Sequence, residues 1–382
     1  MHPVDRYHRQ TLLPQLGRAG QAKLRAARVL LIGCGALGTV IAEQLVRAGV
    51  GFIRICDRDL VELTNLQRQV LFDESDAHNG VPKAVAAKRR LLAINSSVEV
   101  DARVVDVHSG NVEALAGCEP SARAAGAVVG DLGSALTLPS PEVPVEGKKG
   151  RGERDSLVDL ILDGTDNIET RYLLNDLAVK RGIAWVYGAC VGTEGRVMAV
   201  VPGKGACLRC LFEEPAGAGE LATCDTAGVL APAASVVASL QVTMALKMLL
   251  GESVQEVGKL VTVDLWNMRF KTMSAVEARR EDCPCCGRRA FPFLDRRDQQ
   301  GAVALCGRGA VQVRPAKPGA VDLAKLAERW DLVGETVQTD YYLKLRLREG
   351  QELTLFPDGR ALVAGTSDLA LARSLYARFI GS

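Results

Sequence analysis

Between Gly33 and Gly38 the chain reads Gly-Cys-Gly-Ala-Leu-Gly. Glycines at that spacing let backbone N–H groups close on a phosphate at a helix N-terminus. Asp57 closes the next apolar run, near the roughly 20-residue spacing at which an acid holds ribose hydroxyls. Asn65, Arg68 and Lys83 follow in DRDLVELTNLQRQ and GVPK. One amide and two cations there suit a triphosphate, whose charge grows as pyrophosphate leaves; a dinucleotide's two-phosphate bridge would not need them. Asp163, Asp166 and Asn167 stand in LDGTDN. Their oxygens are hard ligands of the kind that hold Mg²⁺ against nucleotide phosphates. Thr165 or Asp166 could also cap the helix that follows.

A second group of residues is thiol-based. Of the 11 cysteines, Cys207 and Cys210 form one C-x-x-C hook, and Cys283 and Cys286 form another. Four thiolates in two hooks are a structural zinc set, with no open position for water. Such a site contributes on the order of 10 kcal/mol to folding. Cys285 is an extra thiol inside the second hook, and redox chemistry is the alternative use of the pairs. Cys224, in ATCDTAGVLAP, lies outside both hooks and could attack an acyl-adenylate or accept sulfur. A passive small residue is the other reading, and Cys190 is the second candidate. The histidines at 2, 8, 78 and 108 form no general-base pattern. A carboxylate nucleophile, ionised at neutral pH, would need none.

These groups need a scaffold. The run ARVLLIG predicts a buried parallel strand ending at Ile32 and a helix from Ala36 to Ala48. GFIRICD predicts a second strand ending at Asp57, and VEVDARVVDV a third from Val98 to Val107. LVDLILDGTDN adds a fourth, then a helix, and AWVYGAC a fifth. This rhythm is a Rossmann-like, doubly wound α/β domain. The predicted boundaries are 1–290 for the domain, with a flexible Gly/Pro/Ser-rich insertion at 119–155. A small α+β domain is predicted at 299–382, with strands in LKLRL, LTLF and ALVAG around a PDGR turn. The apolar stretch Val229 to Leu250 carries Pro232, Ser235, Ser239, Gln241, Thr243 and Lys247, and reads as a buried helix rather than a membrane span. Formal net charge is +2 over 382 residues, which argues against nucleic-acid or membrane partners. The charged N-terminus resembles no secretory signal, so a cytoplasmic protein is expected.

Taken in order, RYHRQ, GCGALG, DRDLVELTNLQRQ, GVPKA, LDGTDN, YGACVGTEGRV, CLRC, TCDTAGVLAP and CPCC resemble the ThiF/MoeB/HesA family, bacterial relatives of ubiquitin-activating enzymes. The resemblance covers about Asp5 to Arg288, apart from the insertion. It implies ATP binding by Gly33, Gly35, Ala36, Gly38, Asp57, Asp59, Asn65, Arg68 and Lys83, with Asp166 and Asn167 at the magnesium. It also implies a homodimer in which Arg9 reaches the partner's ATP site. The implied reaction is adenylation of the C-terminal Gly-Gly carboxylate of a ThiS- or MoaD-like sulfur carrier. Thiocarboxylate formation would follow, for thiamin or molybdopterin synthesis, with a cysteine desulfurase or another sulfur donor. Cys224 matches the place of a catalytic cysteine in some relatives. The tail lacks a rhodanese-type cysteine motif and weakly favours a ThiS-like partner. An NAD-dependent oxidoreductase would leave Arg68, Lys83 and Asp166 without a role. A zinc-stabilised scaffold would leave the nucleotide residues without one.

Overall fold

The computed structural model describes residues 6–118, 157–215, 224–296, 301–305, 309–315, 321–348 and 350–381. The expected insertion at 119–155 lies outside them. The chain resolves into two compact units, one built on the N-terminal three-quarters and one from residue 298 onward.

The first unit carries an eight-stranded sheet in the order β3-β2-β1-β4-β5-β6-β7-β8. Its strands are β1 Arg28–Ile32, β2 Phe52–Asp57, β3 Glu99–Val104, β4 Leu160–Asp163, β5 Ala184–Val191, β6 Glu194–Val200, β7 Lys259–Asp264 and β8 Arg269–Ser274. β1 to β5 are parallel. β6 to β8 are added antiparallel. The parallel half follows the predicted rhythm, although β3 ends at Val104 rather than Val107. The antiparallel half was not predicted, because β8 is exposed along its whole length and so carries no burial alternation to read.

Alternation along β1 divides the core. Val29 and Leu31 face one layer with the helices Ala36–Ala48, Lys83–Ile94 and Ala231–Leu250. Leu30 and Ile32 face the other, with the helix Ile168–Arg181 and the cysteine hooks. The helix Ala231–Leu250 has the length and hydropathy of a membrane span. Here it packs on the helix Ala36–Ala48 and on β5 and β6, burying Ala233, Ala234, Val237 and Ala238.

The second unit is an antiparallel sheet of β9 Ala302–Leu305, β10 Ala310–Val313, β11 Glu335–Gln338, β12 Leu343–Arg346, β13 Glu352–Leu355 and β14 Ala361–Ala364. Their order is β11-β12-β13-β14-β10-β9. The helices Leu323–Trp330 and Leu369–Phe379 close its core around Trp330 and Leu375. The PDGR turn joins β13 to β14, with Gly359 at φ +82°, a conformation glycine adopts without strain.

Candidate nucleotide site and cysteine centre

The carboxyl ends of the parallel strands share one edge, and the strand order reverses between β1 and β4. Open α/β sheets bind ligands at such a switch point. Three glycines set its geometry. Gly33 follows β1 with φ +88°, and a Cβ on Gly38 would lie 2.0 Å from the Gly33 carbonyl oxygen. A Cβ on Gly164, after β4, would lie 2.4 Å from that same oxygen. The two strand-end loops therefore pack backbone to backbone. Gly35 differs, because a Cβ there would find only the Gln69 Nε2 at 3.9 Å. Glycine here leaves a clear approach to the first-turn N–H groups of the helix Ala36–Ala48, which no intrahelical carbonyl satisfies. Ala36, the first residue of that helix, contributes through its backbone.

Asp57 is 9% exposed. One carboxylate oxygen accepts the Cys34 N–H at 2.6 Å and the other accepts the Asp59 N–H at 2.7 Å. Burial pushes its carboxyl up, opposed by the ammonium of Lys83. Lys83 begins its helix, is itself 4% exposed, and pairs with Asp59 Oδ2 at 3.2 Å. Asn65 is buried, and its Oδ1 accepts the Glu62 N–H at 3.1 Å, closing the turn that carries Arg68. Arg68 donates to the Thr64 carbonyl at 2.8 Å. Glycine loop, Asp57, Asp59 and Lys83 thus meet directly, and Asn65 and Arg68 share one adjoining turn.

The LDGTDN segment divides its labour differently from the sequence reading. Asp163 is fully buried, and its carboxylate accepts from the Thr165 N–H and hydroxyl, from Arg171 Nε at 3.0 Å and from the Gly188 N–H. Burial pushes this carboxyl up, and the Arg171 guanidinium, with the bonds from Thr165 and Gly188, opposes that rise. With its oxygens engaged, Asp163 is a structural anchor, which corrects its assignment to magnesium. Asn167 caps the helix Ile168–Arg181 by accepting the Thr170 N–H at 3.0 Å, so Asn167 performs the capping expected of Thr165 or Asp166. Asp166 is exposed at the mouth, and its charge reaches both Arg58 and Arg171. A hard cation fits this donor set through the one exposed carboxylate, the rest of its oxygens coming from phosphate.

Sequence reasoning missed Arg58, Gln69 and Arg171, since a single Arg or Gln reads as solvated surface. Burial gives Gln69 away, and the carboxylates they hold give away Arg58 and Arg171. Arg171 also donates to the Thr165 and Gly188 carbonyls at 2.7 and 3.1 Å, tying the Asp166 loop to β5.

Arg9 is exposed on the short helix His8–Thr11. That segment is docked by Gln10, which donates to the Ala48 carbonyl at 2.9 Å, and by Tyr7, whose hydroxyl accepts from Asn95. Cys224 opens the short helix Cys224–Ala227, which packs on β5; its side chain lies outside the described atoms. Cys190 sits inside β5 at 7% exposure within the core, which removes it as an accessible nucleophile. Cys34 and Cys56 are also buried. Burial drives the Cys34 thiol far above its usual range, and Cys56 up to about 12.

The two cysteine hooks converge. Cys207 Sγ lies 3.9 Å from Cys210 and 3.6 Å from Cys283, and Cys210 lies 3.4 Å from Cys286. All four sulfurs fall within 4.8 Å of one another. Tetrahedral zinc with bonds near 2.3 Å places its sulfurs about 3.8 Å apart, so the set fits that ion. Cys285 stands outside this four-sulfur group, and its Sγ accepts from Asn175 Nδ2 at 3.2 Å. Asn175 also accepts the Leu208 N–H at 2.8 Å, bracing the first hook against the second.

The ThiF family pattern matches residues 7–123 and 151–285, which spans the glycine loop, the Lys83 region, LDGTDN, the first hook and Cys283 of the second. The chain belongs to the ThiF family. Within it, the sulfur carrier protein ThiS adenylyltransferase of Bacillus subtilis is 42% identical over 379 residues, covering 99% of this chain and 100% of the relative. A sulfur carrier protein adenylyltransferase from Thermus thermophilus is 36% identical over 289 residues, covering 74% of this chain and 91% of its own length. Among solved structures, E. coli MccB with ATP superposes with a TM-score of 0.56 at 21% identity, covering 75% of each chain. That likeness shows the shared fold. The ThiF-family pattern passes over residues 124–150, within the expected insertion, and stops before the second unit.

Proposed function

We infer that the protein adenylates the C-terminal Gly-Gly carboxylate of a ubiquitin-like sulfur carrier of the ThiS type, using ATP and releasing pyrophosphate. The observation that carries this reading is the end-to-end 42% identity with a ThiS adenylyltransferase; the geometry at the switch point agrees with it. The glycine loop and the helix N-terminus receive phosphate, and Asp57 takes the ribose hydroxyls beside the Cys34 N–H. The carrier carboxylate, ionised at neutral pH, attacks the α-phosphorus. Lys83 and Arg68 meet the charge that accumulates as the pyrophosphate bond breaks. Magnesium, held by Asp166 with Asn167 beside it, would neutralise phosphate charge.

Arg9 completes the site from a second copy of the chain. Exposed Leu12 and Leu13 beside it, and Leu63 and Val70 around Arg68, supply apolar surface for such a homodimer. The exposed edge of the sheet, with Trp266 at 74% exposure beside Met268, Phe270 and Met273, supports a protein substrate over a small molecule. Cys224 then takes part in sulfur transfer after a cysteine desulfurase or another donor delivers sulfur. The four cysteines hold zinc in a structural role, and the protein acts in the cytoplasm, on a carrier serving thiamin or molybdopterin synthesis. Domain boundaries follow the reading of an adenylation domain at 1–290 and a small appended domain at 299–382.

Intact-mass spectrometry tests this. Incubated with MgATP, a cognate carrier gains the mass of an adenylate, and a carrier lacking its terminal Gly-Gly gains nothing. A cognate carrier that stays unmodified overturns the assignment.

A further inference from the structure

Lys83 presents a difficulty for any reading in which it serves a triphosphate. Its ammonium is buried and already paired with Asp59 Oδ2 at 3.2 Å, and Asp57 adds a second carboxylate nearby. A cation held that way lends little charge to a ligand unless something weakens the hold. Arg58 stands on the other side of the same carboxylate, with Nε 3.8 Å from Asp59 Oδ1. Its Nη1 donates to Asp106 Oδ1 at 2.9 Å, just past the end of β3, where Asp106 is itself 8% exposed. Two cations therefore divide the charge of Asp59, and Asp106 fixes the guanidinium that does the dividing.

We propose that Arg58 is a positioning residue of the nucleotide site: anchored on Asp106, it shares the Asp59 carboxylate with Lys83 and so leaves the Lys83 ammonium available to the triphosphate. The proposal rests on the ATP reading. Burial alone would lower the Arg58 pKa, yet Asp106 and then Asp59, with Asp166 more distant, hold it above its usual value; the guanidinium is a permanent charge at this mouth. Without it, a polyanion would approach Asp57, Asp59, Asp106 and Asp166 with Lys83 held on Asp59 and Arg171 on Asp163. The planar fork matters as well as the charge, because it reaches two carboxylates at once, which an ammonium does less well.

Calorimetric titration of full-length protein with MgATP, without carrier, reads the effect apart from turnover. Arg58→Gln should weaken binding roughly tenfold, the scale of one charge-assisted contact. Arg58→Lys should fall between Gln and wild type. Arg58→Gln combined with Asp59→Asn should recover most of the loss, since the carboxylate that holds the Lys83 ammonium loses its charge as well. A role confined to stability would instead lower the melting temperature and leave the recovery absent. ATP binding unchanged in Arg58→Gln, or a double variant binding no better than the single one, overturns the proposal. Should Arg58→Gln fail to fold, Arg58→Lys against wild type decides alone: equal affinity overturns the proposal and weaker affinity upholds it. Wild-type protein that does not bind MgATP would instead sink the ATP reading itself.

Discussion

Replacing Arg171 with Met tests how the loop that carries Asp166 is held. Arg171 donates to the Asp163 carboxylate and to the Thr165 and Gly188 carbonyls, and Met fills similar volume without donors. Asp163, fully buried, would keep its bonds from Thr165 and Gly188 and lose its counter-charge. Breaking a buried pair by removing one partner costs about 3–5 kcal/mol. For a unit of this size, each kcal/mol moves the midpoint by roughly 2–4 °C, so calorimetry should show a fall of about 6–20 °C. The deficit also has a pH signature. Burial already raises the Asp163 carboxyl and Arg171 opposes that rise, so the variant raises the folded-state pKa further above the unfolded value. Stability from such a group is present below the unfolded pKa and lost as pH rises through the folded one. The gap to wild type is therefore widest near neutral pH and narrows in acid. Arg171→Met with Asp163→Asn should recover part of the loss, because no buried charge is then left unpaired. A single variant melting within about 2 °C of wild type, less than 1 kcal/mol on that scale, or a gap that widens in acid, would refute the reasoning.

Lys83→Ala and Arg68→Ala should each slow adenylation roughly 10- to 150-fold, the kinetic equivalent of a charge-assisted contact of about 1.5–3 kcal/mol; unchanged rates return them to the solvated surface. Native mass spectrometry should find one zinc per chain, lost in Cys283→Ser together with several degrees of melting temperature. A metal-free wild type of equal stability contradicts the centre. Cys224→Ser should keep adenylation and lose sulfur transfer, and retention of both makes the thiol passive. Native alkylation should leave Cys34 and Cys56 unlabelled, since burial keeps both as thiols; rapid labelling of either contradicts their placement.

Much of this was written in local patterns. The run Arg28–Ile32 into Gly33 fixes a strand, a turn and a helix together, because only glycine tolerates the φ of Gly33 and the 2.0 Å approach at Gly38. Both cysteine hooks were legible from spacing alone. The antiparallel half of the sheet was not, since β6 to β8 pair over distances that no local pattern encodes. Within the site, Asp57 and Lys83 were found through their place after strand ends. Asp163 was misassigned because a carboxylate bound to Arg171 and one exposed to solvent look the same in a sequence. Arg58 was invisible for the converse reason, its importance lying in the three acids that the ends of separate strands bring around it. Cys285 was ambiguous by spacing, and the four sulfurs that gather without it answer the question.

Exchange of labelled pyrophosphate into ATP tests the central claim most directly, because it reports the reversible adenylation step and nothing after it. The account predicts exchange that appears only when a carrier ending in Gly-Gly is present, and that disappears when the terminal glycine is removed. Exchange independent of any carrier, or none with any carrier of the cell, would contradict it.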